Sequence, residues 1–299
     1  MFDGVHLGHR AVVEAAVLSA RHVNGLAAAL TFDPHPSRLL RPDAAVPLLL
    51  PPDTKAKRLL VAGLDAVIIQ AFTREFAAVD ADDFVPMLKR ALPHLRTIFV
   101  GENWRFGKGR KGDVDLLNAQ AKAHGVRIFS APRVNLDGDP ISSTRIRAAL
   151  QEGNLDLVNA LLGYTYTIDG VVKAGQSLGR RLGFPTLNVP WAPECAPCLG
   201  VYAVQLRAAG VKAADGKERV WRGVANYGLR PTVAKPGESL PRLEVHLFDT
   251  PPFGEGTPLE VEWCGFLRRE KRFAGVDALR AQIGRDVTKA REYFGAAET

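Results

Sequence analysis

His6 and His9 stand three positions apart, with Leu7 and Gly8 between them, directly before a helical pattern. A helix N-terminus exposes unpaired amides and a partial positive charge, so phosphates bind there. Two imidazoles at this spacing can both turn toward one phosphate as the helix begins. They can donate hydrogen bonds to a pentacoordinate α-phosphorus while pyrophosphate leaves, with no covalent intermediate. A pair of surface histidines beside a turn would use the same residues. Residues 141–147 open another expected helix with Ser142 and Thr144, then Arg145 and Arg147. The hydroxyls suit a cap or a phosphate contact, and Arg145 suits the charge of a leaving pyrophosphate. An ordinary capped amphipathic helix reads similarly.

Two loops lie between these stretches. Thr31-Phe32-Asp33-Pro34-His35-Pro36 ends an expected strand with polar groups at the sheet's carboxyl edge, where open α/β sheets bind ligands. Residues 101–110 follow a second such strand with Asn103, Trp104, Arg105, Phe106 and several cations. They offer aromatic faces for a planar ring and charge for a phosphate; the plainer expectation is a mobile solvated flap.

The densest motif of the second half runs from Gly175 through Gly179, Arg180, Arg181 and Gly183 to Thr186 and Asn188. Glycines let a backbone approach phosphate, yet no Gly-Lys-Ser/Thr is present, so this is not a Walker A loop. Thr186 and Asn188 alternate on a strand start and share a side. Their oxygens could hold Mg²⁺ alongside nucleotide phosphates. A glycine-rich hairpin with a surface threonine is the alternative. Glu244, inside the alternating run 243–249, could accept the proton of an attacking hydroxyl if its face lines a pocket. Most such carboxylates are simply solvated. Cys195 and Cys198 lack a second ligand pair at zinc spacing and read as an incidental pair in a proline-rich loop.

These residues need a frame. Residues 9–24 carry a helical stripe ending at Gly25, and strands are expected at 26–32, 65–70, 97–100 and 126–129. Helical patterns near 53–62, 82–92 and 114–124 separate them, which implies a parallel sheet covered by helices. From Tyr164 the period changes to two, with strands expected at 165–172, 201–207, 220–225, 243–248 and 259–264. A barrel or sandwich follows. Two helices, near 276–283 and 286–294, are expected to close the chain, and the domain boundary is placed at Gly163, giving domains 1–163 and 164–299.

The 299 residues are 46% hydrophobic and 24% charged, enough for two ordinary cores. No run of about eighteen apolar residues suggests a membrane span, and no secretory signal is visible. Three cysteines fit a reducing compartment, so a cytoplasmic location is expected. The net charge of +7 admits nucleic acid or anionic small substrates; the scattered basic residues give no aromatic-basic RNA motif.

Taken together and in this order, the motifs closely resemble those of the prokaryotic bifunctional riboflavin kinase/FMN adenylyltransferase family, the FAD synthetases. The resemblance spans nearly all of the chain. It implies an α/β fold class: an N-terminal Rossmann-like nucleotidyltransferase domain, then an antiparallel riboflavin-kinase barrel with terminal helices. By that resemblance Gly4, His6, Gly8, His9, Ser142, Thr144 and Arg145 line an ATP site. Asp33, His35, Asn103 and Arg105 lie near the flavin. Pro185-Thr186-x-Asn188 matches the kinase Pro-Thr-x-Asn motif, with Gly175, Gly179, Arg180 and Gly183 beside the nucleotide. The segment from Ala225 to Thr232 matches Ala-Asn-x-Gly-x-Arg-Pro-Thr, Glu244 falls at the catalytic base, and Arg268 and Glu270 match an Arg-x-Glu segment. ATP and Mg²⁺ are implied, with riboflavin and FMN as substrates, no nucleic-acid or membrane partner, and a monomer or weak homo-oligomer. Phe253 replaces a common tyrosine.

The family runs an apolar strand into Gly-Asn before Phe-Asp-Gly, whereas Met1 stands here in the asparagine's place. The expectation is a chain lacking its first strand. Losing three or four buried apolar side chains at ~1.5–3 kcal/mol each would threaten a domain stable by ~5–15 kcal/mol. A kinase-only enzyme with an impaired adenylyltransferase half is therefore one alternative, and a misplaced start is a simpler one. A third is an RNA-binding protein on a nucleotidyltransferase scaffold.

Overall fold

The computed structural model describes residues 1–174, 178–212, 218–229 and 241–296. Gly175 and residues 230–232 of the motifs above lie outside them. The chain divides into two compact units, Met1–Ser143 and Thr144–Thr299.

The first unit runs α1 (Leu7–His22), β1 (Ala28–Asp33), α2 (Pro36–Leu40), α3 (Pro52–Val61), β2 (Ala66–Ala71), α4 (Arg74–Ala77), α5 (Phe84–Ala91), β3 (Thr97–Gly101), α6 (Val114–Ala123) and β4 (Arg127–Ala131). A small hairpin of β5 (Asn135–Leu136) and β6 (Asp139–Pro140) follows. β1 pairs with β2, and β3 with β4, both parallel and in unbroken register. Parallel neighbours need long crossovers, and helices provide them in both pairs. Where the sequence predicts one parallel sheet, the strands form two separately hydrogen-bonded pairs. The loop of residues 101–113 is no free flap. Phe106 is buried with Phe84, Val85, Val100 and Leu117, and Trp104 stacks on it at 4.8 Å. Aromatic side chains this large bury themselves when a core is within reach.

The second unit opens with α7 (Ser143–Glu152), whose first residue closes the first unit, and α8 (Leu155–Leu162), capped by left-handed Gly163. β7 (Thr167–Val171), α9 (Leu178–Arg181), β8 (Leu187–Val189), β9 (Gly200–Lys212), β10 (Glu218–Gly228), β11 (Arg242–Leu247), β12 (Pro258–Arg269) and α10 (Val276–Ala296) complete it. Six strands form one sheet in the order β7-β12-β9-β10-β11-β8. Among the described residues its two edges meet at an antiparallel bridge between Lys173 and Asn188, so the sheet curls on itself. Trp263, Tyr202 and Tyr227 fill its interior. α8 is tied to this sheet through Asn159, whose amide donates to the Trp263 carbonyl at 3.2 Å and accepts from the Tyr166 N–H at 2.7 Å.

One alternative and one sequence expectation change here. Over the described residues 178–186 the glycine-rich run is the short helix α9 and a turn, not the hairpin of the alternative. The two closing helices are one helix of 21 residues. Gly284 weakens a helix by only ~1 kcal/mol. Links on both sides of it hold the turn: Gln282 donates to Asp286 at 2.8 Å, and Arg285 donates to Gln282.

Candidate active sites

The first cluster grows from the turn before α1. Phe2, Gly4 and Val5 all have positive φ, at 59°, 82° and 38°. Glycine takes that conformation freely, but a β-branched valine there is strained, so other contacts must hold it. They are present. The Thr31 hydroxyl donates to the Met1 carbonyl at 3.1 Å, and the Ser143 hydroxyl donates to the Asp3 carbonyl at 2.8 Å. The buried Asp3 carboxylate accepts from the Leu49 and Leu50 amides at 3.1–3.2 Å.

That turn delivers the two histidines together. His6 caps α1, its Nδ1 accepting from the His9 N–H at 3.3 Å. A ring nitrogen that accepts carries no proton, so a neutral His6 holds its proton on Nε2. The rings of His6 and His9 stack at 3.6 Å and 15°, with Phe2 edge-on to His9. Burial, then the neighbouring His6, pushes the His9 pKa well below the usual histidine value. His9 Nδ1 is buried without a protein hydrogen-bond partner among the described residues.

Asp33 closes β1, and Gly101 closes β3, so both expected ligand loops follow strand carboxyl ends. His35 caps α2, accepting from the Ser37 N–H at 3.1 Å. Asn103 is exposed beside Glu102, and Arg105 pairs with Asp113 at 2.9 Å. Lys55 of α3 is buried and donates to the Phe32 carbonyl at 3.4 Å. Burial lowers its pKa, opposed by the attraction of Asp3 and Asp33. Asp3 and Lys55 carried no signal in the sequence, where each is an ordinary charged residue. Gly4 and Gly8 sit in the strained turn and the first turn of α1. Ser142 immediately precedes α7; Thr144 and Arg145 are in its first turn and group with the second unit.

The second cluster is set by strand register. Asn188 on β8 lies directly opposite Glu244 on β11, and Glu244 lies opposite Asn226 on β10. The row continues through Val201 on β9 to Arg268 on β12. Directly opposed residues share a face. Here that face also carries Ala203 and Val224, which pack against Ala290 and Phe294 of α10. Asn226 belongs to a motif noted in the sequence, but nothing there placed it beside Glu244.

Thr186 leads into β8 from a tight turn in which the Phe184 N–H donates to the Gly179 carbonyl at 2.8 Å. A Cβ on Gly179 would lie 2.4 Å from the Phe184 oxygen and 3.1 Å from the Thr186 hydroxyl, so only glycine fits. Gly183 has φ +86°, and Arg180 is exposed. A cavity of about 270 Å³ adjoins this strand, lined in part by Lys173, Asn188, Arg242 and Leu243. Thr186 and Asn188 are half-buried neutral oxygen donors, Asn188 lining that cavity, and such a pair suits a hard cation that keeps phosphate and water ligands. Arg268 pairs with the buried Asp286 of α10, Nε to Oδ1 at 2.8 Å and Nη2 to Oδ2 at 2.6 Å. Glu270 accepts from the Leu229 N–H at 3.4 Å and so secures the end of β10.

Cys195 and Cys198 are buried and free, and burial pushes the Cys264 thiol up to about 12. No group of three or more metal-ligating His, Cys, Asp or Glu residues exists among the described residues.

Comparison with known proteins bears on both clusters. The FAD synthetase family model matches residues 1–145, and the riboflavin kinase family model matches residues 162–294. The bifunctional riboflavin kinase/FMN adenylyltransferase of Escherichia coli (strain K12) is 40% identical, covering 98% of this chain and 91% of its own. Proteins of the same name from Haemophilus influenzae and Bacillus subtilis (strain 168) are 36% and 33% identical, each covering at least 98% of this chain and 90% of its own. A solved structure titled as a macrolide-efflux protein from Streptococcus pneumoniae superposes with a TM-score of 0.84 at 27% identity, covering 97% of this chain and 91% of that one. No helix among the described residues is long and apolar enough to cross a membrane. With both family models in order and relatives at this identity over nearly the whole length, the chain belongs to the bifunctional riboflavin kinase/FMN adenylyltransferases, the FAD synthetases.

Proposed function

We propose that Glu244, Thr186 and Asn188 serve riboflavin phosphorylation, and that the His6–His9 turn serves adenylyl transfer to FMN. The observation that carries the kinase assignment is the row Asn188–Glu244–Asn226, which sets one carboxylate between two amides on one sheet face. Glu244 accepts the proton of the riboflavin 5′-hydroxyl as that oxygen attacks the γ-phosphorus of ATP, whose bond to the bridging oxygen breaks as ADP leaves. General-base help of this kind contributes ~10²–10⁴-fold. Thr186 and Asn188 would hold Mg²⁺ with the nucleotide phosphates; the bound ion would neutralise phosphate charge. Gly179, Arg180 and Gly183 flank the nucleotide, with Gly175 assigned there by family motif. Arg268 supports the flavin side while braced by Asp286.

In the first unit, the FMN phosphate attacks the α-phosphorus of ATP and pyrophosphate leaves. His6 donates from Nε2 and the α1 amides supply partial positive charge. His9, neutral at rest, offers its unpartnered Nδ1. Gly4 and Gly8 let phosphate approach the backbone; Ser142 serves the nucleotide, and the family motif assigns Thr144 and Arg145 to it as well; Asp33, His35, Asn103 and Arg105 serve the flavin. We place the functional boundary at Gly163, the enzyme in the cytoplasm as a monomer or weak homo-oligomer, and nucleic acid outside its partners.

Purified protein given riboflavin, ATP and Mg²⁺ is expected to form FMN and then FAD, read separately by chromatography. Absence of FMN sinks the kinase assignment. Absence of FAD from supplied FMN and ATP sinks the other.

A further inference from the structure

Seven polar or charged residues are buried among those described, and four of them, Asp3, His6, Thr31 and Lys55, gather around the turn before α1. Asp3 and Thr31 hold that turn by hydrogen bonds, and His6 carries its chemistry. The Lys55 ammonium donates to the Phe32 carbonyl at 3.4 Å, on the residue before Asp33. The Asp3 carboxylate accepts from the amides of Leu49 and Leu50, which lead into the helix that carries Lys55. A buried ammonium is costly unless negative charge compensates it, and the attraction of Asp3 and Asp33 opposes the effect of burial here. Residues 49–55 thus bind the phosphate turn through two amides and the strand end assigned to the flavin through one ammonium.

We propose that Lys55 is a positioning residue for adenylyl transfer, its ammonium holding the end of β1 against the segment whose Leu49 and Leu50 amides bind the Asp3 turn. This rests on the adenylyltransferase reading of the first unit. Lys55 itself touches neither reacting atom. Its effect passes through the placement of His6 and of FMN, so its loss should fall on kcat at saturating substrates more than on KM.

The test uses the full chain with Lys55→Met and Lys55→Ala, assaying FAD formation from supplied FMN and ATP, with riboflavin phosphorylation in the same samples as the internal control. Wild-type protein must first form FAD; if it does not, the adenylyltransferase reading fails and this proposal falls with it. Both variants are expected to lose about ten- to a hundred-fold in kcat, the scale of a small misplacement of reactants, and to keep kinase turnover. Ethylammonium added to Lys55→Ala is expected to restore several-fold activity, while propane or ethanol at equal concentration does not. A packing role would respond to neutral molecules as well as to the cation. Wild-type kcat in Lys55→Met, a loss confined to KM, equal rescue by neutral molecules, or no rescue by the cation would each overturn the proposal. If Lys55→Ala fails to fold, Lys55→Met, which keeps the stem's length, carries the test through its kcat and KM.

Discussion

Glu244 is interpretable because its neighbours are known: an amide on each side across the sheet, and no aliphatic side chain in either place. Replacing it with glutamine keeps size and removes the base. Riboflavin phosphorylation is expected to fall by ~10²–10⁴-fold in kcat, with the unfolding midpoint of the barrel unchanged. Stopped-time assays with circular dichroism check both. His9 makes a different prediction. Its folded pKa lies below the unfolded value of 6.5, so below that pH the unfolded chain binds more protons than the folded one. Its contribution to stability is complete above pH 6.5 and is lost as pH falls, at up to about 1.4 kcal/mol per pH unit. Urea midpoints of the first unit between pH 5 and 8 should rise toward neutrality, and His9→Gln should flatten that slope. An unchanged slope would show that His9 is not held neutral.

Among elements, the turn between α9 and β8 and the length of α10 carry the kinase half. Gly179→Ala drives a Cβ into the Phe184 carbonyl and displaces Thr186. It should cost about 1–3 kcal/mol and lower riboflavin phosphorylation, leaving FAD formation from supplied FMN intact. Arg268, half-buried, and Asp286, buried, join β12 to α10 through an ion pair. Removing one partner leaves the other uncompensated, so Asp286→Ala should destabilise the barrel by about 3–5 kcal/mol, measurable by thermal melting. Strands β1–β4, β7 and β9–β12, and the helices over 53–62 and 114–124, were legible in the sequence because period and caps are local signals. The unity of α10 was not. Gly284 looks like a break until Gln282 and Asp286 are seen bonded beneath it. The packing of the loop over 101–110 was not legible either: aromatics suited to a ligand face are equally suited to a core, and only the position of Phe84 shows that Phe106 belongs to one.

For the whole molecule, two family matches on one chain mean two chemistries that can be removed one at a time. A His6→Ala, His9→Ala double variant should lose FAD formation from supplied FMN and keep riboflavin phosphorylation; Glu244→Gln should do the reverse. Separate quantification of FMN and FAD reads both, and loss of both products in either variant would contradict the division of labour. The net charge of +7, which alone admitted nucleic acid, suits a chain handling riboflavin phosphate and nucleotides.

By itself the sequence determined the family, the order of the two halves, and the residues proposed to bear charge or hydroxyls toward phosphate. Motifs such as His6-Leu7-Gly8-His9 and Pro185-Thr186-Leu187-Asn188 work over one helical turn or two strand positions, so their geometry follows from local backbone rules. Only the tertiary structure decided what lies opposite what. Glu244 meets Asn188 and Asn226 because three strands distant in sequence share one register. Asp3 and Lys55 are buried because residues 49–55 close on distant segments, the Leu49 and Leu50 amides on Asp3 and the Lys55 ammonium on the Phe32 carbonyl. Register and burial are long-range quantities, set by which surfaces exclude water together, and no local pattern encodes them.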